Sequence, residues 1–408
     1  MLHTDHSNNH RGSDGVVSLF TVLFTTLLLT VLTVGFMRLM IQEQYQAQNQ
    51  DLAQSAYDSA MSGVEDAKRV IRACRQGSVQ ACNALDNSAT TCNTVYLAGI
   101  VGTGADTETT ISSGNTADMT LNQAYTCVKI TTESEDYLGN LYESKSKIIP
   151  LRATGSFNRI VIQWMHKSDG SIGGEGFAGG NVNDLTAPMS PDTNLTSLPK
   201  KEAWSATAPA MLRAMTVLPP NASSVSAADL DGPIASTTFL RPTVTALSED
   251  MDASTLNTNV DVGLARSAVD AGGMAHPVSV TCSKRLFLED NDYACKATLM
   301  MPAGQSVPAE SAVAFLRLTS LYRDTAYRIT LFNDSNPVMF DGVQPTVDST
   351  GRASNIYRRV ASKLDVGSYE PLINVDATVT TTGSLCKDFY ITDEIADGAV
   401  CTSAVPTP

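Results

Sequence analysis

The chain lacks any Cys-x-x-Cys pair, Walker phosphate loop, G-x-S-x-G elbow or H-E-x-x-H motif, and beyond its first fifteen residues it has only two histidines, His166 and His276. A zinc site needs closely spaced cysteines or histidine partners, so zinc is not the expected use of its cysteines. Histidine-dependent acid–base or nucleophilic catalysis has few arrangements left, and the residues point to a non-enzyme with no cofactor and no metal. Proline is missing until Pro150, so nothing interrupts a helix before that point. Charge is missing from residues 16–37. As a helix, at about 1.5 Å per residue, that run is roughly 33 Å long, enough for a bilayer core of about 30 Å.

What is present is equally directional. The 408 residues suffice for one large or two medium domains. The net charge is −14. Asp5, Arg11, Asp14 and Arg38 cancel within the first 41 residues, so the excess lies wholly beyond residue 41. Such acidity repels nucleic acid and anionic headgroups and reads first as solubility. The eight cysteines, Cys74, Cys82, Cys92, Cys127, Cys282, Cys295, Cys386 and Cys401, all lie after the uncharged run. An even set confined to one side of a membrane segment argues for disulfides in an oxidising compartment, with the carboxyl-terminal part outside.

After residue 37 the helical pattern continues but turns polar. Ala53, Ala56, Tyr57, Ala60, Met61, Val64, Ala67, Val70 and Ile71 fall at steps of three and four, a face expected to lie on a folded body. Glu65 and Arg69 form an i,i+4 pair on the exposed side. Beyond Cys74 the texture becomes strand-like. Strands are predicted at 125–132, 146–154 and 159–165, the last alternating as if buried mainly on one face, then at 277–282, 294–301, 312–321, 326–332 and 356–366. Residues 167–235 hold seven prolines and little periodicity, and read as a long loop or insert.

The fold class is therefore α+β: a long amino-terminal helix, then a β-rich, disulfide-containing extracellular region in one or two lobes. The expected segments are a leader at 1–15, the helix at 16–75 and a first β-rich lobe packed on it at 76–166. The loop or insert at 167–235 and a second lobe at 236–408 complete the chain.

Three patterns are weighed and set aside. Gly174-Glu-Gly176-Phe-Ala-Gly179 spells G-x-G-x-x-G, but no helix comes after it and Glu175 opposes phosphate, so a loop is favoured. The acidic groups at Asp229-Leu-Asp231 and Glu289 to Asp292 lack the spacing of a calcium loop and read as solvated turns.

The first 75 residues carry a resemblance. A polar leader closes at Gly15, the run Val16-Val17-Ser18-Leu19-Phe20-Thr21-Val22-Leu23 comes next, and an alanine-rich amphipathic helix continues it. This layout resembles the type IV pilins and pseudopilins. The resemblance implies cleavage by a prepilin peptidase between Gly15 and Val16, with methylation of the new terminus at Val16; a cut after Gly12 is the other candidate. Pilins usually carry glutamate at the fifth mature position, where this chain has Phe20. That departure resembles minor, tip-type subunits, which have no subunit above them whose charge needs compensation. The implied partners are other pilin subunits, the peptidase, the membrane, and a surface or host-cell receptor, and no nucleic acid. The implied location is the cytoplasmic membrane, then a cell-surface filament. A signal-anchored extracellular adhesin that never polymerises and a type II secretion pseudopilin remain alternatives. The segment from Gly342 to Ala361, with Arg358 and Arg359 in its second half, loosely resembles a late hairpin of some minor pilins and equally reads as a hairpin of the second sheet with exposed arginines.

For the cysteines, Cys282 and Cys295 flank a turn-like run between two strands, which suggests a bridge closing a hairpin. Cys386–Cys401 resembles the disulfide-bounded carboxyl-terminal loop of many type IV pilins. The other four allow three connectivities, of which Cys74–Cys82 with Cys92–Cys127 is favoured. Replacing Cys401 by serine is expected to lower stability by roughly 2–4 kcal/mol and to expose this end to protease, with membrane insertion unchanged. Non-reducing peptide mapping checks the pairing, and free thiols at both Cys386 and Cys401 count against it.

Overall fold

The computed structural model describes residues 14–86, 88–101, 108–111, 122–166, 201, 204, 208–219, 235–244, 258–261, 268–269, 275–282, 293–311 and 313–365, with backbone alone at 14–18, 244, 268–269 and 275–276. The helices are α1 (Asp14–Arg75), α2 (Val79–Asp86) and α3 (Thr94–Leu97). The strands are β1 (Glu108–Thr110), β2 (Ala124–Ser134), β3 (Tyr137–Leu141), β4 (Ser146–Pro150), β5 (Arg159–His166), β6 (Met211–Val217), β7 (Ala235–Val244), β8 (Thr258–Asp261), β9 (Ala268–Val269), β10 (Ala275–His276), β11 (Val278–Cys282), β12 (Tyr293–Met300), β13 (Phe315–Leu321), β14 (Thr325–Asn333), β15 (Asn336–Val338), β16 (Phe340–Ala353) and β17 (Ile356–Lys363). The long amino-terminal helix and the β-rich, disulfide-bearing region of an α+β chain are both present. Contacts divide the chain into two compact units, residues up to 129 with 347–361, and residues 130–346 with those from 362 onward.

The first unit is built on the polar half of α1. Its sheet has the order β1-β2-β16-β17. Ala56, Ala60, Ala67 and Val70 are fully buried, with Val64 and Ile71 nearly so. The face is small because the sheet comes very close. A Cβ on Gly351 of β16 would lie 2.0 Å from the Ala56 carbonyl oxygen and 2.2 Å from the Ala60 nitrogen. Glycine inside a strand marks such a close backbone approach. Gly63 is its counterpart on the helix, where a Cβ would meet Ser349 Oγ at 2.3 Å and Val128 at 3.0 Å. Tyr57, expected on this face, is instead 45 % exposed, and Ser55 and Ser59 are buried on the opposite flank. The centre of the contact follows the alanines, which leaves the bulky Tyr57 to one side.

Polar contacts fix the register. The side chains of Gln123 and Ser55 are hydrogen-bonded, and the Tyr125 hydroxyl donates to Asp66 Oδ2 at 2.7 Å. The expected Glu65–Arg69 pair does not form. Glu65 binds Lys68 at 2.5 Å and Asp66 binds Arg69 at 2.9 Å, both at i,i+3. Asp66 is already held in place by Tyr125, which gives Arg69 a nearer carboxylate than Glu65. Two disulfides belong to this unit. Cys74–Cys82 joins the end of α1 to α2, and Cys92–Cys127 joins the segment before α3 to β2.

The hairpin of β16 and β17 brings late residues into this sheet. A turn at Ser354, with φ of 52°, joins the two strands. Expected in the second sheet with exposed arginines, the hairpin lies instead beside β2, in the sheet that carries α1. Arg359 is exposed and paired with Asp348 of β16, and Arg352 binds Glu108 of β1 at 2.7 Å.

The second unit holds an eleven-stranded sheet in the order β15-β14-β5-β12-β11-β7-β6-β13-β4, with β3 also on β14 and β8 also on β12. β5 lies between β14 and β12, with Trp164 opposite Tyr327 on one side and Cys295 on the other. Its alternation predicted burial mainly on one face. Instead Ile160, Ile162 and Trp164 are fully buried or nearly so, and Val161, Gln163 and Met165 on the other face are also under 9 % exposed. A strand in mid-sheet with both faces covered loses the polar alternation of a half-solvated one. Trp164 donates its indole N–H to the Ala210 carbonyl at 2.9 Å, which satisfies the one polar atom of the largest core side chain. Cys282–Cys295 links directly opposed residues of β11 and β12.

Two expectations about the β region change. Residues 167–235, read as a connection, contain β6, which pairs with both β7 and β13 well inside the sheet. Its pattern of two buried residues at each end and alternation between them, Met211 to Val217, is too short for periodicity to stand out. Apart from the separate two-stranded pair of β9 and β10, the strands from 137–166 and from 235–338 share this one sheet, so position 236 is not a boundary between sheets.

Replacing Gly351 by alanine forces β16 away from α1, because the clash is with backbone. Chemical denaturation of the detergent-solubilised chain is expected to register a loss of about 3 kcal/mol. Gly63→Ala meets mainly the rotatable Ser349 side chain and is expected to cost about 1 kcal/mol. Equal losses for the two variants would contradict this packing.

Candidate functional site: an exposed apolar half-helix

Between residues 19 and 41 of α1 there are sixteen large apolar side chains, and each is between 50 % and 69 % exposed. Scattered apolar residues on a surface need no explanation, but a continuous band of this size marks an interaction surface. The segment is not the core helix of a soluble body, since none of its most apolar 18-residue window is buried. That window has a mean hydropathy of 2.2. Length and composition make this the one helix among the described residues able to cross a membrane. On an insertion scale the band contributes roughly 5–10 kcal/mol towards the bilayer, well above the penalty of about 3 kcal/mol for one central charge.

The threonine hydroxyls at 25, 26, 30 and 33 are satisfied within the helix, as hydrocarbon demands. Thr25 donates to the Thr21 carbonyl at 2.8 Å, Thr26 to Val22 at 2.9 Å, Thr30 to Leu27 at 2.8 Å and Thr33 to Leu29 at 2.9 Å. Gly35 has no neighbour within 4 Å of where a Cβ would stand, which leaves a notch in the apolar surface. Sequence reading did not single out these hydroxyls; the signal was present as five threonines in a stretch without charge, since a hydroxyl can bond the preceding turn.

Gly15 and Val16 lie in the first turn of α1, and the helix runs through them from Asp14 without a break. Phe20 comes one turn later and is 59 % exposed. These three positions thus share one helix end at the start of the apolar band. The remaining candidate chemistry is dispersed. The His166 ring packs edge-on against Tyr293, with centroids 5.0 Å apart. Among the described residues no three side chains of the metal-binding types gather into a site. The Gly174–Gly179 motif, the acidic groups near Asp229 and Asp231, the Glu289 to Asp292 run and the Cys386–Cys401 pair all lie outside the described residues.

Three tyrosines have hydroxyls shifted well above the ordinary phenol range. Burial is the main cause for Tyr125, Tyr137 and Tyr327, and neighbouring carboxylates add to it. They therefore stay protonated and act as donors, Tyr125 to Asp66 and Tyr137 to Asp365 Oδ1 at 3.1 Å. The stacked rings of Tyr137 and Tyr327, 6.2 Å apart, tie β3 to β14. This chemistry holds a fold together.

Comparison of the chain with protein-family models, with curated proteins and with solved structures finds no match.

A charge at the middle of the apolar band tests its role. Leu27→Arg is expected to oppose insertion by about 3 kcal/mol. The measurement is the fraction of protein resisting alkaline extraction from membranes, which is expected to fall relative to Leu27→Ala.

Proposed function

We propose that the chain is a minor pilin-like structural subunit of a type IV filament. It is held in the cytoplasmic membrane by residues 16–37 before assembly, with its disulfide-bearing region outside. Afterwards it sits at the tip of a cell-surface filament, where it primes assembly or contacts a surface. Its role is structural, with no catalytic step. The observation that supports this most is the division of α1 into an apolar half exposed on all sides and a half seated on a sheet. One half suits lipid and then the apolar core of a filament, while the other fixes a folded body to it. The three disulfides of the described region fit an oxidising compartment.

Phe20 supports the tip position. In a repeating subunit a buried amino terminus needs a nearby carboxylate, because an unpaired charge in an apolar core is costly. A subunit at the end has no such neighbour above it, and an apolar residue at this position costs nothing there. The partners in this reading are the other pilin subunits, through residues 16–37, the prepilin peptidase, the membrane, and a surface receptor.

Amino-terminal mass spectrometry of the membrane-extracted protein tests the assignment. The expected mature start is Val16 carrying one methyl group. A mature protein that retains Met1 to Gly15 sinks the filament reading and leaves a signal-anchored extracellular binding protein.

A further inference from the structure

We propose that residues 42–51 of α1 form a compliant joint, a length of helix that opens and recloses between the membrane-crossing half and the half docked on the sheet. The inference rests on the membrane placement of residues 16–37 and is independent of whether the chain polymerises.

The two flanks are held by different means. Upstream, lipid enforces the helix, because an open backbone amide in hydrocarbon has no partner. Downstream, Ser55, Ala56, Ser59 and Ala60 are buried against the sheet, and the Glu65–Lys68 and Asp66–Arg69 pairs support the exposed side. Between them every residue from 42 to 51 is exposed. The docked face, traced back along the helix, meets Asn49, Gln46, Tyr45 and Gln42, all of them exposed, so the covered stripe ends at Leu52. Among the described residues, no side chain from Arg38 to Asp51 makes an ion pair or a side-chain hydrogen bond.

Five glutamines alternate through this stretch, at Gln42, Gln44, Gln46, Gln48 and Gln50. Glutamine is a fair helix former, so the closed form is favoured while its neighbours supply helical ends. Propensity alone leaves a helix of about 10 residues marginal in water. Even Tyr45 is 64 % exposed here, so there is no burial to add, and this stretch has none of the i,i+4 pairs that substitute for it. The joint therefore opens without disturbing either flank. Ten residues measure about 15 Å as helix and up to about 34 Å extended, so opening lets the docked body move away from the membrane by up to about 19 Å. Under axial pull this element yields first, ahead of the sheet contact.

Hydrogen exchange of the full chain in phospholipid nanodiscs, read by mass spectrometry, tests this. Residues 42–51 are expected to exchange at least about tenfold faster than both 20–37 and 56–71. Protection of 42–51 equal to that of the flanks overturns the joint while leaving the membrane placement intact. Fast exchange at 20–37 overturns the membrane placement, and the joint with it. A variant gives a second measure. Gln42→Glu with Gln46→Lys, combined with Gln44→Glu and Gln48→Lys, adds two i,i+4 pairs in the favourable order. It is expected to slow exchange of 42–51 about three- to fivefold, with 56–71 unchanged. No slowing in that variant also overturns the proposal.

Discussion

The first unit depends on one close contact, the backbone of β16 at Gly351 lying on the backbone of α1 at Ala56 and Ala60. At such a separation the helix presents only methyl groups and the strand only hydrogen. Apolar area per residue is small here, but the packing is dense, and dispersion grows with the number of atoms in contact. The contact also sets position. A helix seated through alanines and glycines has few registers in which backbone meets backbone without overlap, and Gly63 against Ser349 supplies the second point of alignment. The Gln123–Ser55 and Tyr125–Asp66 hydrogen bonds then lie where that register puts them.

The same helix serves two environments because its composition changes twice. From residue 16 to 37 it has no charge, and the hydroxyls of Thr25, Thr26, Thr30 and Thr33 are turned back on the preceding turn. From Ser55 onward it has a narrow face of small residues and an outer face of ion pairs. Between Gln42 and Asp51 it has neither a continuous apolar band nor a face covered by the sheet. A continuous backbone ladder thus joins parts whose stability comes from different sources, which is general for helices whose tertiary support is partial.

The second unit is held by side chains whose partners are far apart in sequence. Asp136 binds both Arg328 and Lys363, and Asp365 is bound by Lys147 and by the Tyr137 hydroxyl. Gln344 spans the backbone of Leu138, accepting from its N–H at 2.9 Å and donating to its carbonyl at 2.7 Å. Burial of Gln344 is tolerable because both ends of its amide are used.

The sequence by itself determined the long helix, its change of character near residue 38, the small-residue stripe and most strands outside the insert, because each rests on local periodicity or on a missing residue type. The Cys282–Cys295 pair was legible for the same reason, since two strands and a turn bring its ends together. Only the tertiary structure decided which strands are neighbours. The β16–β17 hairpin lies beside β2 rather than with the strands next to it in sequence, and β6 enters the sheet from a stretch rich in proline. Burial of β5 on both faces and the displacement of Tyr57 from the docked face result from what packs against them. Strand pairing over two hundred residues leaves no local mark, because a strand's outward-facing amides are the same whichever partner they meet. A glycine reveals its role only when the backbone it must accommodate has arrived.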